Sequence, residues 1–188
     1  FRYSANDLIE YFGIHKVDNL LLINPDNPSG NFIPVDGIHK IARWSEDNGI
    51  RFILDESFVD FSVNYENNSF IINEILEQYP HMCVMKSISK SYGVPGIRLG
   101  ILCSADTSLI AKMKKQVSIW NINSFAEFFM QIYPKYRDEY TRACDQFIQA
   151  REDFEVELKK IPFIKVMPSQ ANYFFLEVLP PYKPKELC

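Results

Sequence analysis

Glycine, histidine and cysteine are scarce here: 7, 3 and 4 of 188 residues. The cysteines (Cys83, Cys103, Cys144, Cys188) lie far apart with no CxxC pair. That argues against a disulfide frame or zinc ribbon and for reduced thiols in a cytoplasmic protein. His15, His39 and His81 are isolated, so no spacing suggests a metal site or a triad. The chain has no GxGxxG, no GxxxxGK[ST] and no HExxH, which removes the common nucleotide and zinc readings. No apolar run approaches a membrane span. Neither charge sign dominates: 20 Lys and Arg face 24 Asp and Glu, for a net charge of −4. An electrostatic footprint for nucleic acid or an anionic membrane is therefore not expected. The triplet Asn67-Asn68-Ser69 matches a glycosylation acceptor, but no secretion signal accompanies it.

What is present is a 47% hydrophobic chain, long enough to bury a sizeable core. Residues 4–12 predict a short helix, with Ser4 as cap and Asp7 at the capping-box position. Residues 19–23 (NLLLI), 51–54 (RFIL) and 82–86 (MCVMK) read as buried strands, and 97–103 (IRLGILC) as another. Between them, a helix is expected from Pro34 to about Asn48, stopped by Gly49, and another near 70–78. Strand alternating with helix predicts an α/β layered fold with a largely parallel sheet. Helices follow at 105–116 and 123–133, the latter stopped by Pro134. A long amphipathic helix spans about 135–160, and 172–178 (NYFFLEV) reads as a strand of a smaller unit.

Three segments point to chemistry. The first, NPDNPSG (24–30), is a turn by composition. It also places Asn27 after a buried strand, at the sheet end where open α/β folds bind ligands. In the second, FILDESF (52–58), Asp55 ends an apolar strand, and a partly desolvated carboxylate needs a partner. That partner is either an arginine or helix N-terminus of the protein itself, or a protonated ring nitrogen of a ligand. The third, SISKSYGVPGIRLG, sets Ser87 three residues before Lys90 and Arg98 eight residues after it. A lysine amine forms an imine with an aldehyde, and serine and arginine hold a phosphate. Pyridoxal 5′-phosphate carries both groups on one ring, so the segment reads as its cradle.

In this order and at these intervals, the three segments resemble the class I/II aminotransferases of pyridoxal-phosphate fold type I. The branch they are most similar to holds histidinol-phosphate aminotransferase and threonine-phosphate decarboxylase. The resemblance covers essentially the whole chain. It implies that Lys90 carries the cofactor and shuttles a proton between Cα and C4′. It further implies that Asp55 pairs with the pyridine nitrogen, Asn27 with O3′, and Ser87 and Arg98 with the phosphate. The implied fold is the type I large domain, a mostly parallel sheet flanked by helices, here over residues 1–134. Residues 135–188 would be the connecting helix and the start of a smaller α+β domain. A homodimer and small amino acid and 2-oxo acid substrates are implied as well.

Two departures stand out. Phe58 occupies the place of a tyrosine that in many members reaches O3′. The chain, opening on Phe1 and closing on KELC, is about half as long as such enzymes. It is expected to represent their middle, without the glycine-containing phosphate loop or the arginine that clamps substrate carboxylate, and inactive in isolation. The expected reaction is amino-group transfer between an amino acid and a 2-oxo acid or phosphorylated ketone. The alternatives are α-decarboxylation of a phosphorylated amino acid and a non-catalytic segment of a larger multifunctional chain.

Overall fold

In the computed structural model, which describes residues 2–187, four apolar runs form one sheet. They are β1 (Asn19–Ile23), β2 (Arg51–Asp55), β3 (Met82–Ser87) and β4 (Gly100–Cys103), in that spatial order. β1 and β3 both pair parallel with β2, while β4 runs antiparallel to β3. Strand side chains alternate between faces. Leu20, Leu22, Phe52, Leu54 and Val84 accordingly point into one core. Helices α1 (Ala5–Ile14), α2 (Val35–Asp47) and α3 (Asn73–Gln78) supply its other wall through Ala5, Ile38, Ile41, Ala42 and Leu76. Leu21, on the opposite face, is 55% exposed.

Local signals explain several boundaries. The capping box of α1 is present: the Ser4 hydroxyl accepts from the Asp7 N–H, and the Asp7 carboxylate accepts from the Ser4 N–H. α2 begins after Pro34, and the chain turns at Gly49 with φ of +68°. α3 starts three residues later than the pattern suggests, because the Phe70 and Ile71 amides donate to Glu56 and Ser69 instead of entering a helix.

The lysine segment differs most from expectation. β3 passes directly into a single helical turn, α4 (Ile88–Ser91). Residues 95–97 form a 3-10 turn, and Arg98 adopts left-handed φ of +53°. Arg98 is therefore not a strand residue; the strand starts at Gly100. Leu99 is buried, but its N–H is taken by the Ser89 hydroxyl instead of a strand neighbour.

Farther along are α5 (Thr107–Gln116), α6 (Ser124–Ile132) and α7 (Arg137–Leu158). Pro134 does not separate α6 from α7 by a loop. It sits in a 3-10 turn, Tyr133–Tyr136, where a missing amide is tolerated. A small antiparallel pair, β5 (Ile164–Val166) and β6 (Leu176–Val178), ends near α8 (Pro184–Leu187). β6 is shorter than the NYFFLEV pattern suggests, because Tyr173 leaves the strand line to pack against Phe58. Among the described residues no helix is long and apolar enough to cross a membrane. Cys83, Cys103 and Cys144 are free thiols; Cys188 lies outside the described residues.

Candidate active site

The carboxyl ends of β2 and β3 and the start of α4 meet at a cavity of about 640 Å³. Asp55, Ser87, Lys90 and Arg98 all line it. The parallel register sets Asp55 beside Met85, and alternation puts Ser87 on that same face of β3. Four of the six site residues read from the sequence thus share one space, although they span 44 positions of the chain (55 to 98, inclusive).

Each has free chemical capacity. Asp55 is half-buried, and one of its oxygens accepts the Ser57 N–H at 2.9 Å. No cation pairs with it among the described residues. Among the described residues the Arg98 guanidinium donates only to the Pro95 carbonyl, at 3.3 Å, and has no carboxylate within ion-pair distance. The Lys90 ammonium lies 4.0 Å from the centre of the Phe58 ring. A cation over an aromatic face gains modest electrostatic stabilisation without losing a hydrogen-bond donor.

Phe58 is therefore in the site, beneath the lysine and buried to 5% exposure. Tyr173 packs edge-on against it at 5.3 Å between ring centres. The Tyr173 hydroxyl donates to the Asp26 carbonyl at 2.8 Å, tying residues 171–173 to the NPDNPSG turn. Burial and the Asp26 carboxylate hold the phenols of Tyr3 and Tyr173 protonated well above their ordinary range. Asn27 is exposed at the tip of that turn and does not line the cavity. The structure thus does not bring it together with the other four.

Further groups, one of them on the cavity wall (Lys86), had no role in the sequence reading. Lys86 and Asp60 form a buried ion pair at 2.6 Å, and the second Asp60 oxygen accepts from Ser91 at 2.6 Å. Glu56, 1% exposed, accepts from the Phe70 amide and the Ser69 hydroxyl. Burial raises its pKa to about 7, against the opposing pull of these hydrogen bonds and of Lys86. The sequence signal was available: charged residues interrupt apolar runs at DESFVDF and MCVMK. Their mutual pairing is not visible from spacing.

The donor set suits a ligand with an aldehyde, an anionic group and a basic ring nitrogen. Lys90 offers an amine, Arg98 and the Ser87 hydroxyl offer anion contacts, and Asp55 offers a carboxylate without a counter-ion. The family comparison agrees: the Aminotransferase class I and II profile matches residues 5–188. The chain belongs to the class I and II aminotransferases. Pyridoxal 5′-phosphate follows as cofactor from that membership, and one histidinol-phosphate aminotransferase among the similar structures, from Sinorhizobium meliloti, is solved with it.

The chain is 32% identical over its full length to a CMP-5′-(3-aminopropyl)phosphonate synthase of Streptomyces rubellomurinus, of which it covers 29%. It is 33% identical over 86% of its length to an L-serine phosphate decarboxylase of Campylobacter jejuni, covering 42% of that protein. A solved decarboxylase from Sulfurospirillum multivorans superposes with a TM-score of 0.84 at 27% identity, over 96% of this chain and 46% of that one. Histidinol-phosphate aminotransferases and threonine-phosphate decarboxylases also match. The chain therefore spans less than half the length of these curated relatives.

Proposed function

We propose that this chain carries the lysine-bearing part of an enzyme that moves an amino group between an amino acid and a 2-oxo acid or ketone. The observation behind this reading is the convergence of Lys90, Ser87, Arg98 and Asp55 on one cavity, with Asp55 and Arg98 lacking charge partners among the described residues. Pyridoxal phosphate, when bound, supplies an aldehyde for the lysine and a ring that accepts electrons from the substrate Cα. Lys90 is the covalent anchor and then the base and acid at Cα. Arg98 and Ser87 hold the phosphate, as a guanidinium and a hydroxyl readily do. Asp55 keeps the ring nitrogen protonated through its unpaired carboxylate oxygen. Phe58 supplies a face, not a hydroxyl, and Asn27, outside the cavity, is given no contact in this reading. In this reading residues 1–134 belong to the cofactor-binding unit, 135–188 lead into a smaller one, and two copies assemble.

A second reading keeps the cofactor contacts and Lys90 as the acid at Cα but changes the bond broken: carbon dioxide, not a proton, leaves Cα in the α-decarboxylation of a phosphorylated amino acid. It draws support from the relatives named as serine-phosphate and threonine-phosphate decarboxylases. Assays on the whole protein separate the two. Oxo acid formation without carbon dioxide release supports transfer, and the reverse supports decarboxylation.

The cofactor assignment has its own test. Pyridoxal phosphate added to the protein is expected to give a visible absorption band, and borohydride to fix one equivalent on Lys90 by peptide mapping. Lys90→Ala should lose both. Retention of single-site trapping by that variant would refute the assignment.

A further inference from the structure

We propose that Asp60, fixed by Lys86 and bonded to Ser91, is a positioning residue that sets where Lys90 stands. This rests on the reading of Lys90 as the cofactor lysine.

α4 is a single turn, and the residue that precedes it, Ser87, makes no side-chain cap. One turn of helix has little stability of its own, because nucleation fixes several dihedrals for a single hydrogen bond. Its geometry must come from outside. Two anchors flank Lys90. On one side, the Ser89 hydroxyl bridges to Leu99, accepting from its N–H at 3.2 Å. On the other, the Ser91 hydroxyl donates to Asp60 Oδ2 at 2.6 Å.

Asp60 is in turn immobilised. Its other oxygen, Oδ1, receives the Lys86 ammonium at 2.6 Å, and both side chains are 9% exposed. Each carboxylate oxygen is therefore committed to a different element, and rotating the group would break both contacts. The rings of Tyr92 and Tyr140 stack nearby at 4.2 Å and 3° between planes, with the Lys86 ammonium 5.9 Å from the Tyr92 centroid.

The connectivity gives the arrangement its meaning. Asp60 lies five residues after Asp55, in the 3-10 turn that follows β2. Lys86 lies at the end of β3, four residues before Lys90. The strut thus joins the segment carrying the ring-nitrogen carboxylate to the segment carrying the amine. A pair serving stability alone gains little here, since well-packed apolar residues commonly replace a buried ion pair without loss. An apolar pair would fill the volume but would take away the carboxylate that Ser91 bonds to, leaving it only the Tyr140 hydroxyl.

The test is carried out on the whole protein and follows capture of pyridoxal phosphate on Lys90 under cyanoborohydride, with peptide mapping, absorption maximum and melting midpoint. Ser91→Ala leaves the ion pair intact, so its melting midpoint should stay close to the parent. Its capture rate at Lys90 should fall about 10-fold, since ångström-scale misplacement of a reacting group costs at least that much. Ser91→Thr should restore the rate. The combined Asp60→Leu, Lys86→Met variant keeps the volume and should show the same slow capture while folded. Parent-like capture and absorption in either variant would overturn the proposal, as would failure of Ser91→Thr to recover the rate. If instead Lys90→Ala still traps the cofactor at one site, the reading of Lys90 falls first, which distinguishes the two failures.

Discussion

Glu56 and Asp55 are neighbours in sequence with opposite surroundings, because alternation along β2 and the turn after it sends them to different sides. Asp55 faces the cavity with an unpaired oxygen. Glu56 is sealed in the protein with a pKa raised from 4.5 to about 7, chiefly by burial. The folded state therefore holds this proton more tightly than the unfolded chain does. The stabilisation is complete below the unfolded value of 4.5 and is lost as pH rises through about 7. Its full extent is on the order of 3 kcal/mol, from about 1.4 kcal/mol per pH unit. Glu56→Gln can still accept from Phe70 and donate toward Ser69, but it does not titrate. Urea midpoints taken near pH 5 and near pH 8 should drop markedly in the parent and stay nearly level in the variant. An equal drop in both would assign the pH dependence to another group.

Among the elements, α2 and the sheet illustrate how pattern becomes packing. Ile38, Ile41 and Ala42 recur at helical spacing and meet Leu20, Phe52 and Leu54, which alternation on two strands, β1 and β2, sends to one face. Ile41 is fully buried, so Ile41→Ala removes methyl groups with nothing free to refill the space. We expect a loss of about 2–5 kcal/mol in denaturant unfolding. The α/β layering was legible because this periodicity lies within single segments. The lysine segment was less so. IRLGILC has strand composition throughout, yet Pro95, Gly96 and the left-handed Arg98 turn its first part into a loop. That loop brings the guanidinium to the cavity mouth, where a strand residue at the same position would have followed the pleat. Likewise, Pro134 reads as a stop but is accommodated in the tight turn that leads α6 into α7.

Across the whole molecule, the NPDNPSG turn meets residues 169–173, more than 130 positions away. Gln170 donates its N–H to the Gly30 carbonyl at 3.0 Å, and Tyr173 reaches Asp26. Gly30 has φ of +70°, and a Cβ there would come within 2.2 Å of the Ser169 hydroxyl. Gly30→Ala should destabilise by roughly 2 kcal/mol or more, of which the left-handed backbone accounts for about 1–2 kcal/mol. Combining it with Ser169→Gly should recover only the side-chain share of the clash, since the Cα of residue 169 lies 2.9 Å from the added Cβ, and leave the backbone part, as unfolding midpoints of the two variants would show. Full recovery in the double variant would mean that backbone strain contributes nothing. The layered class, the segment proposed to hold the cofactor and the order of the three motifs were readable from sequence alone, because helical and strand periodicity and turn chemistry act over neighbouring residues. It took the folded arrangement to bring Lys86 to Asp60, Ser91 to the other Asp60 oxygen and Phe58 beneath Lys90, and to leave Asn27 outside the cavity. Those pairings join residues separated by long stretches of chain, and strand order and register, which no local pattern encodes, set which side chains meet.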